Sequence, residues 1–414
     1  MYKLIMAITV LLIICSCSPS VEQRISVEQR ISVEQRIDRV ENSLIELGFE
    51  TVMSLFQPDS VQLANSRTLA ERMEHYGTPG VSIAVVNGNE VEWSKAYGIM
   101  DKNTGSPVTT ETIFEAASTS KLITAVMALH FVEKGLLELD KNVNTYLKSW
   151  QIPENEYTSE EKITLRRLLT HQAGFPVTNY NRDISMRNPT LIDVLNGERP
   201  AMNSPAIPEY IPGTKWQYSN IGYNVIQLLL QELSGKSFQE IAEEVVFKPL
   251  GMKNSTFIYP LDAERTKREA MPHDANGNSR QPSMAPTALA QGGLMTTPTD
   301  LAIVTNELIR SYQGTSAKIL SQEMTKQLFT KESDIDRRTM PLPFTDGLGA
   351  FLMGEGRDLL FAHPGSNNPG SLCFLVGWPE HGTGAVVMTN GPGLVNGFLM
   401  ALEIAAAIDI VYNK

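Results

Sequence analysis

The run Leu122, Ile123, Ala125, Val126, Met127, Ala128, Leu129, Phe131, Val132 is apolar on nearly every face of a helix, and no other feature constrains the fold as much. A helix without a polar side cannot lie on a surface, so it has to run through the interior of a large domain. Its entry, Phe114-Glu115-Ala116-Ala117-Ser118-Thr119-Ser120-Lys121, is rich in small residues and carries a hydroxyl and an amine three positions apart. Helix positions i and i+3 lie about 5–6 Å apart at Cβ, which brings the Lys121 amine within reach of the Ser118 oxygen. Burial strips an ammonium of hydration and lowers its pKa, leaving an amine that accepts a proton at neutral pH. Ser118 is thereby a candidate nucleophile and Lys121 its candidate base.

Ser-x-x-Lys also describes a helix N-cap followed by a surface lysine. Ser159-Glu160-Glu161-Lys162 is such a case, with acids in the first turn that favour a cap. The settings differ: around Ser118 the sequence is apolar, and there a lysine is costly unless it is used. The pair alone leaves both readings open.

At the start of the chain, Lys3 and the apolar run Leu4 to Cys15 read as a secretory signal, too short for a bilayer span of about 20 residues. Ile14-Cys15-Ser16-Cys17 resembles a bacterial lipobox, which makes residues 1–17 the signal and Cys17 the expected lipidation site. A lipid anchor to a membrane and a place in the bacterial cell envelope, periplasmic or at the surface, follow as expectations. Beyond Cys17 only Cys373 remains, so no disulfide forms within the domain.

Residues 21 to 38 carry Val-Glu-Gln-Arg-Ile-Ser three times, the last copy ending in Asp38. Six residues is not a helical period, and the apolar positions spread around the whole helix. A tether over 18–59, disordered or partly helical, is expected. Within it Ile37, Val40, Leu44 and Leu47 follow 3,4,3 spacing, which predicts a short amphipathic helix before Gly48. Residues 60–414 contain no linker-like break and read as one domain with two lobes.

A net charge of -11 argues against nucleic acid or an anionic membrane face as partner. Val81 to Val86 and Glu90 to Tyr97 flank Asn87-Gly88, a strong hairpin signal. Near the C-terminus, Ser371 to Gly377 and Ala385 to Thr389 form a second strand pair, followed by an apolar helix from about Leu394 to Tyr412. Strands at both ends with helices at Ile163 to Thr170, Ile221 to Leu233 and Phe238 to Phe247 imply an α/β fold. One sheet of N- and C-terminal strands is flanked by helices, with a mostly helical lobe inserted.

Taken in order, Ser118-Thr-Ser-Lys121, Leu168 to Gly174, Pro212-Gly213-Thr214, Tyr218-Ser219-Asn220, Pro249-Leu250-Gly251-Met252, Gly292-Gly293-Leu294 and His363-Pro364-Gly365 resemble the class C β-lactamase and penicillin-binding-protein-like serine hydrolases. The resemblance runs from about Gly80 to Gly391 and implies a β-lactamase/transpeptidase-like fold with an antiparallel sheet. It implies an acyl-enzyme on Ser118, with Lys121 and Tyr218 sharing its proton. A nearby ammonium would lower the phenol's pKa and make it a usable base. Asn220 would point an amide at the substrate's acyl side, and Ser219 or Asn220 would also cap the helix at Ile221.

The third motif departs from the lactamase pattern. His363-Pro364-Gly365 stands where those enzymes carry Lys-Thr-Gly, so the cation and hydroxyl that receive a substrate carboxylate are missing. His363 is expected at the rim of the site, titrating near its ordinary value of about 6.5. Gly365 would let substrate approach the backbone, and the N–H groups of Ser366 and Ser118 would form an oxyanion hole. His381-Gly382-Thr383-Gly384 lies in a loop and is set aside. Ser234-Gly235-Lys236-Ser237 lacks the leading glycine of a phosphate loop, and His171 is expected to pack and hydrogen-bond within the helical lobe. No metal-ligand spacing is present and no cofactor is expected. The expected partner is a small-molecule or peptide substrate, and three functions follow. An esterase or peptidase, acting on D-amino-acid peptides among others, comes first. A β-lactamase or D,D-carboxypeptidase and a non-catalytic envelope module are the alternatives.

Overall fold

A computed structural model of the chain describes residues 31–45, 66–178, 180–183, 185–282, 286–332, 345–368, 370–392 and 394–413. The signal, Cys17, the first hexapeptide copy and residues 27–30 of the second lie outside these residues, as do Leu47 and Gly48.

The third hexapeptide copy corrects the expected tether. Helix α1, Val33–Asn42, starts at Ser32, whose hydroxyl accepts from the Gln35 N–H while the Gln35 side chain accepts from the Ser32 N–H. The repeat itself thus encodes a capping box. Val40 is buried, Val33 and Ile37 pack beside it, and Arg36 pairs with Glu92. Val40 breaks the six-residue period and stands at i+7 from Val33, so this copy acquires an apolar face. The helix expected from Ile37 therefore begins earlier and stops before Leu44, which enters strand β1, Leu44–Ile45, paired with β2, Ser66–Arg67.

Helix α2, Leu69–Tyr76, precedes the hairpin β3, Gly80–Asn87, and β4, Glu90–Asp101. Gly88 and Asn89 have φ of 59° and 71°, so the two-residue turn sits one position later than Asn87-Gly88. Strand β5, Ser106–Pro107, lies at the sheet edge, and β6, Phe114–Glu115, leads through a tight turn at Ala117–Thr119 into helix α3, Ser120–Glu133. The lobe includes α4, Leu165–Leu169, and α5, Asn220–Ser234. Helix Phe238–Ala242 continues as a π-helical stretch through Phe247. Strand β7, Met295–Thr296, pairs with β6 and is followed by α6, Pro298–Tyr312. The second half of the sheet is β8, Thr345–Asp346; β9, Phe351–Met353; β10, Leu360–Asn367; β11, Ser371–Trp378; and β12, Thr383–Thr389. Helix α7, Leu394–Asn413, closes the chain.

The main sheet has the order β5-β4-β3-β12-β11-β10-β9-β8 with antiparallel neighbours throughout, so both ends of the chain meet at β3 and β12. The expected architecture is therefore present. Period-2 alternation separates two cores. Val81, Ile83, Phe374, Val376 and Val387 face α7, while Ala84, Val86, Leu375, Val386 and Met388 face the core around α3, α5 and α6. Helix α7 is long and apolar enough to cross a membrane, but most of it is buried against the sheet. Its Glu403 takes both Arg72 Nε and Nη2 of α2 at 2.7 Å in the interior. On the other face, every residue of α3 from Ser120 to Leu129 is buried, as its all-round apolar sequence requires.

Candidate active site

Between Thr112 and Leu129, Ser118 is the one residue that is not buried. It is delivered to the surface by a strained turn: Ala117 has φ of 47°, a region L-residues avoid at a cost of about 1–3 kcal/mol. Surrounding bonds hold that turn. Ser120 Oγ donates to the Ala117 carbonyl at 2.6 Å and accepts from the Leu294 N–H at 3.0 Å, and Thr119 Oγ1 donates to the His363 carbonyl at 3.1 Å.

Lys121 is fully buried, and its Nζ lies 3.0 Å from Ser118 Oγ and 2.6 Å from the Gln291 carbonyl. Burial drives its pKa well below the ordinary lysine value, as the sequence implied. The same Nζ sits 4.9 Å from the Tyr218 ring centroid and 5.5 Å from that of Tyr223. Tyr218 is hydrogen-bonded to Ser118, so Ser118, Lys121 and Tyr218 converge.

The protonation logic at Tyr218 is the reverse of the expectation. Burial raises the phenol above its ordinary value, and the Ser118 hydrogen bond only partly offsets this. Low dielectric disfavours the charged form of both groups, so burial rather than the lysine charge governs the phenol. Burial thus drives the pair toward a neutral amine and a neutral phenol.

Tyr218 is seated by His171, which packs and hydrogen-bonds within the lobe as expected. His171 Nδ1 accepts from the Ser219 N–H at 3.1 Å, and its ring lies 4.4 Å from that of Tyr218. The Ser219 hydroxyl caps α5 by accepting from the Gly222 N–H at 3.2 Å. Asn220, the first residue of α5, donates from Nδ2 to the Thr178 carbonyl at 3.0 Å and so ties the helix to the loop at 174–178.

Strand β10 forms the facing wall. A Cβ on Gly365 would lie 2.1 Å from the Ala116 carbonyl oxygen, 2.7 Å from Thr119 N and 2.9 Å from Ser118 N, so the strand passes flush against the turn that carries Ser118. Its neighbour β9 pairs with Leu360–Ala362, which among the described residues leaves the stretch from His363 without a strand on that side and accommodates Pro364. Ser366 is partly exposed, opposite Leu372.

His363 is not at the rim. It is 2% exposed, its Nδ1 is 2.9 Å from the Pro364 carbonyl, and its ring lies 5.2 Å from that of Phe351. Burial, reinforced by Lys121, pushes the imidazole down to about 3, so it stays neutral through the physiological range. The alternation of a strand explains the error: positions 363 and 365 share a face, and that face is sealed by the turn that carries Ser118.

The sequence offered no local signal for the Gln291 carbonyl or for the φ of Ala117. The first arrives from a loop 170 residues away in sequence. The order of motifs did name Ser118, Lys121 and Tyr218, which the structure brings together.

The family model described as Beta-lactamase matches residues 65–408. The chain belongs to the beta-lactamase family. Penicillin-binding protein 4* of Bacillus subtilis is 27% identical over 216 residues, covering 51% of this chain and 43% of that protein. A putative D-alanyl-D-alanine carboxypeptidase of Escherichia coli O157:H7 is 29% identical over 218 residues, 49% of each. The chain thus spans about half or less of the length of these curated relatives. In fold, a class C beta-lactamase structure superposes with a TM-score of 0.66 at 19% identity, covering 92% of this chain and 98% of the other. This beta-lactamase family is one of serine hydrolases with penicillin-binding relatives, and the sheet and inserted lobe described above are its fold.

Proposed function

We propose that the protein is an envelope-anchored serine hydrolase that cleaves esters or peptides, D-amino-acid peptides among them, through an acyl-enzyme on Ser118. The observation that carries this reading is the buried Lys121 amine 3.0 Å from Ser118 Oγ. In acylation the Ser118 proton passes to Lys121 Nζ as Oγ bonds to the substrate carbonyl carbon. The resulting oxyanion is held by the N–H groups of Ser118 and Ser366. Tyr218, neutral and hydrogen-bonded to Ser118, relays the proton from the lysine to the leaving oxygen or nitrogen as that bond breaks. Water then repeats the sequence and frees Ser118. Asn220 orients the acyl side from the mouth of α5.

The neutral, buried His363 supports esters and neutral leaving groups over substrates gripped by a carboxylate. The relative named as a putative D-alanyl-D-alanine carboxypeptidase favours D-peptides as the next class to test. The lipobox at Cys17 supports attachment to the cell envelope. The test is a panel of p-nitrophenyl esters, cephalosporins and D-Ala-D-Ala peptides, run with Ser118→Ala as control. Ester or peptide turnover above cephalosporin turnover, all lost in the control, is the expected result. Efficient cephalosporin hydrolysis would shift the reading to a β-lactamase, and no serine-dependent turnover or labelling would favour a binding module.

A further inference from the structure

Lys121 has a second partner besides Ser118, and how that partner is held identifies a residue outside the site. The Gln291 carbonyl accepts from Lys121 Nζ at 2.6 Å, yet Gln291 lies in a connecting segment between Thr287 and Gly293 that belongs to no helix or strand. One buried side chain braces this segment. Gln227 of α5 accepts from the Leu289 N–H at 2.9 Å and the Ala290 N–H at 3.1 Å through its Oε1, and donates from Nε2 to the Thr287 carbonyl at 2.9 Å. One turn earlier on the same face, Asn224 Nδ2 reaches Gln291 Oε1 at 3.4 Å. From the other side, Thr124 Oγ1 of α3 donates to the Ala290 carbonyl at 3.0 Å.

Helix α5 therefore sets both neighbours of the lysine. Its N-terminal approach carries Tyr218, and two turns later Gln227 fixes the loop that presents the carbonyl. We infer that Gln227 is a positioning residue for proton transfer, holding the Gln291 carbonyl where it receives the Lys121 ammonium formed when Ser118 gives up its proton. This inference rests on the lysine-base reading above. The chemistry asks for such an acceptor: an ammonium has three donors, and in a buried site each one left unpaired opposes its formation. The other groups that face Lys121 cannot supply a charge. Tyr218 and Tyr223 are held protonated by burial and His363 is held neutral, while Asp346 acts on Tyr223.

The sign of the effect follows. A carbonyl accepting from Nζ favours the charged amine, so losing its alignment lowers the lysine pKa further and weakens the base. Gln227→Met preserves length and apolar packing but removes all three bonds. The net worth of one hydrogen bond corresponds to a downward shift of roughly 0.4–1 pH unit. Turnover on the pH plateau should fall roughly tenfold or more, since a weaker base accepts the serine proton less readily.

Two readouts distinguish the inference from the reading it rests on. Direct NMR titration of Lys121 in protein carrying isotope-labelled lysine needs no substrate, while the acid limb of kcat/KM for a p-nitrophenyl ester needs one. Rates are referred to the concentration of folded active sites, so a purely structural loss lowers thermal stability and leaves both pH midpoints in place. The expected result is a downward shift in both for Gln227→Met, and a smaller shift in the same direction for Asn224→Leu, the milder variant that decides if the first does not fold. An unmoved Lys121 titration in either folded variant overturns the inference. A moved titration in a protein whose wild type has no serine-dependent turnover upholds the positioning and overturns the hydrolase reading instead.

Discussion

Replacing Gly365 with alanine adds a single methyl group where the structure has no room for it. That Cβ would lie 2.1 Å from the Ala116 carbonyl oxygen and under 3 Å from the backbone nitrogens of Ser118 and Thr119. All three atoms are main chain, so no side chain can swing aside, and relief requires strand or turn to retreat by about 1 Å. The turn cannot retreat freely, because Ser120 and Thr119 bind it on two sides and Ala117 already stands at φ 47°. Overpacking of this kind costs about 1–3 kcal/mol in stability. The larger consequence is kinetic, since misplacing reacting groups by about 1 Å can cost roughly 10²-fold in rate. Stopped-flow release of p-nitrophenol measures acylation directly, and thermal melting measures the fold. The expected outcome is a folded Gly365→Ala protein with acylation slowed about 10²-fold, a loss concentrated in the chemical step. Acylation at the wild-type rate would refute the view that β10 and the nucleophile turn form one rigid wall.

Three further outcomes follow from the same geometry. His363→Ala should leave the pH dependence of kcat/KM between pH 5 and 8 unmoved, because the imidazole is already neutral there; a lost limb near pH 6.5 would show that it titrates after all. Glu269, buried beside Glu115, has its carboxyl pushed up to about 7. Its folded pKa lies above the unfolded value, so its contribution is fully present below about pH 4.5 and is lost as pH rises through about 7. Denaturant titrations should therefore show Glu269→Gln flattening the pH dependence between 5 and 8, by at most about 3 kcal/mol, and an unchanged slope would rule this out. Cys17→Ser should move the protein from the membrane to the soluble fraction, since a buried acyl chain contributes about 0.8 kcal/mol per CH₂; persistent membrane association on fractionation would point to an uncleaved anchor.

What could be read from the amino-acid order divides along physical lines. The all-round apolar character of α3 dictated a buried helix, and that burial in turn dictated a lysine of low pKa at its start; both are present. Period-2 runs placed β3, β11 and β12, and the pairing of chain ends in one sheet followed from their positions. Depth was less legible. His363 occupies the expected strand position, but whether that strand face meets solvent or the turn that carries Ser118 depends on a contact between residues 244 apart. Tyr218 was placed correctly and charged wrongly, because its pKa depends on how much water the assembled site excludes. The third hexapeptide copy has the sequence of its siblings but for Asp38, and its docking as a helix rests on Val40, Glu92 and the surface of α7, which a six-residue period does not announce. The segment from Thr287 to Gln291 has no signature at all, since its conformation is imposed by a glutamine 60 residues earlier.

The central claim is that Ser118 is the nucleophile, and intact-protein mass spectrometry after brief exposure to a fluorophosphonate or a slowly hydrolysed ester tests it most directly. A single covalent adduct is predicted, mapping to the peptide that carries Ser118, absent from Ser118→Ala and formed much more slowly in Lys121→Ala. An adduct on another residue, or undiminished turnover by Ser118→Ala, would contradict the account.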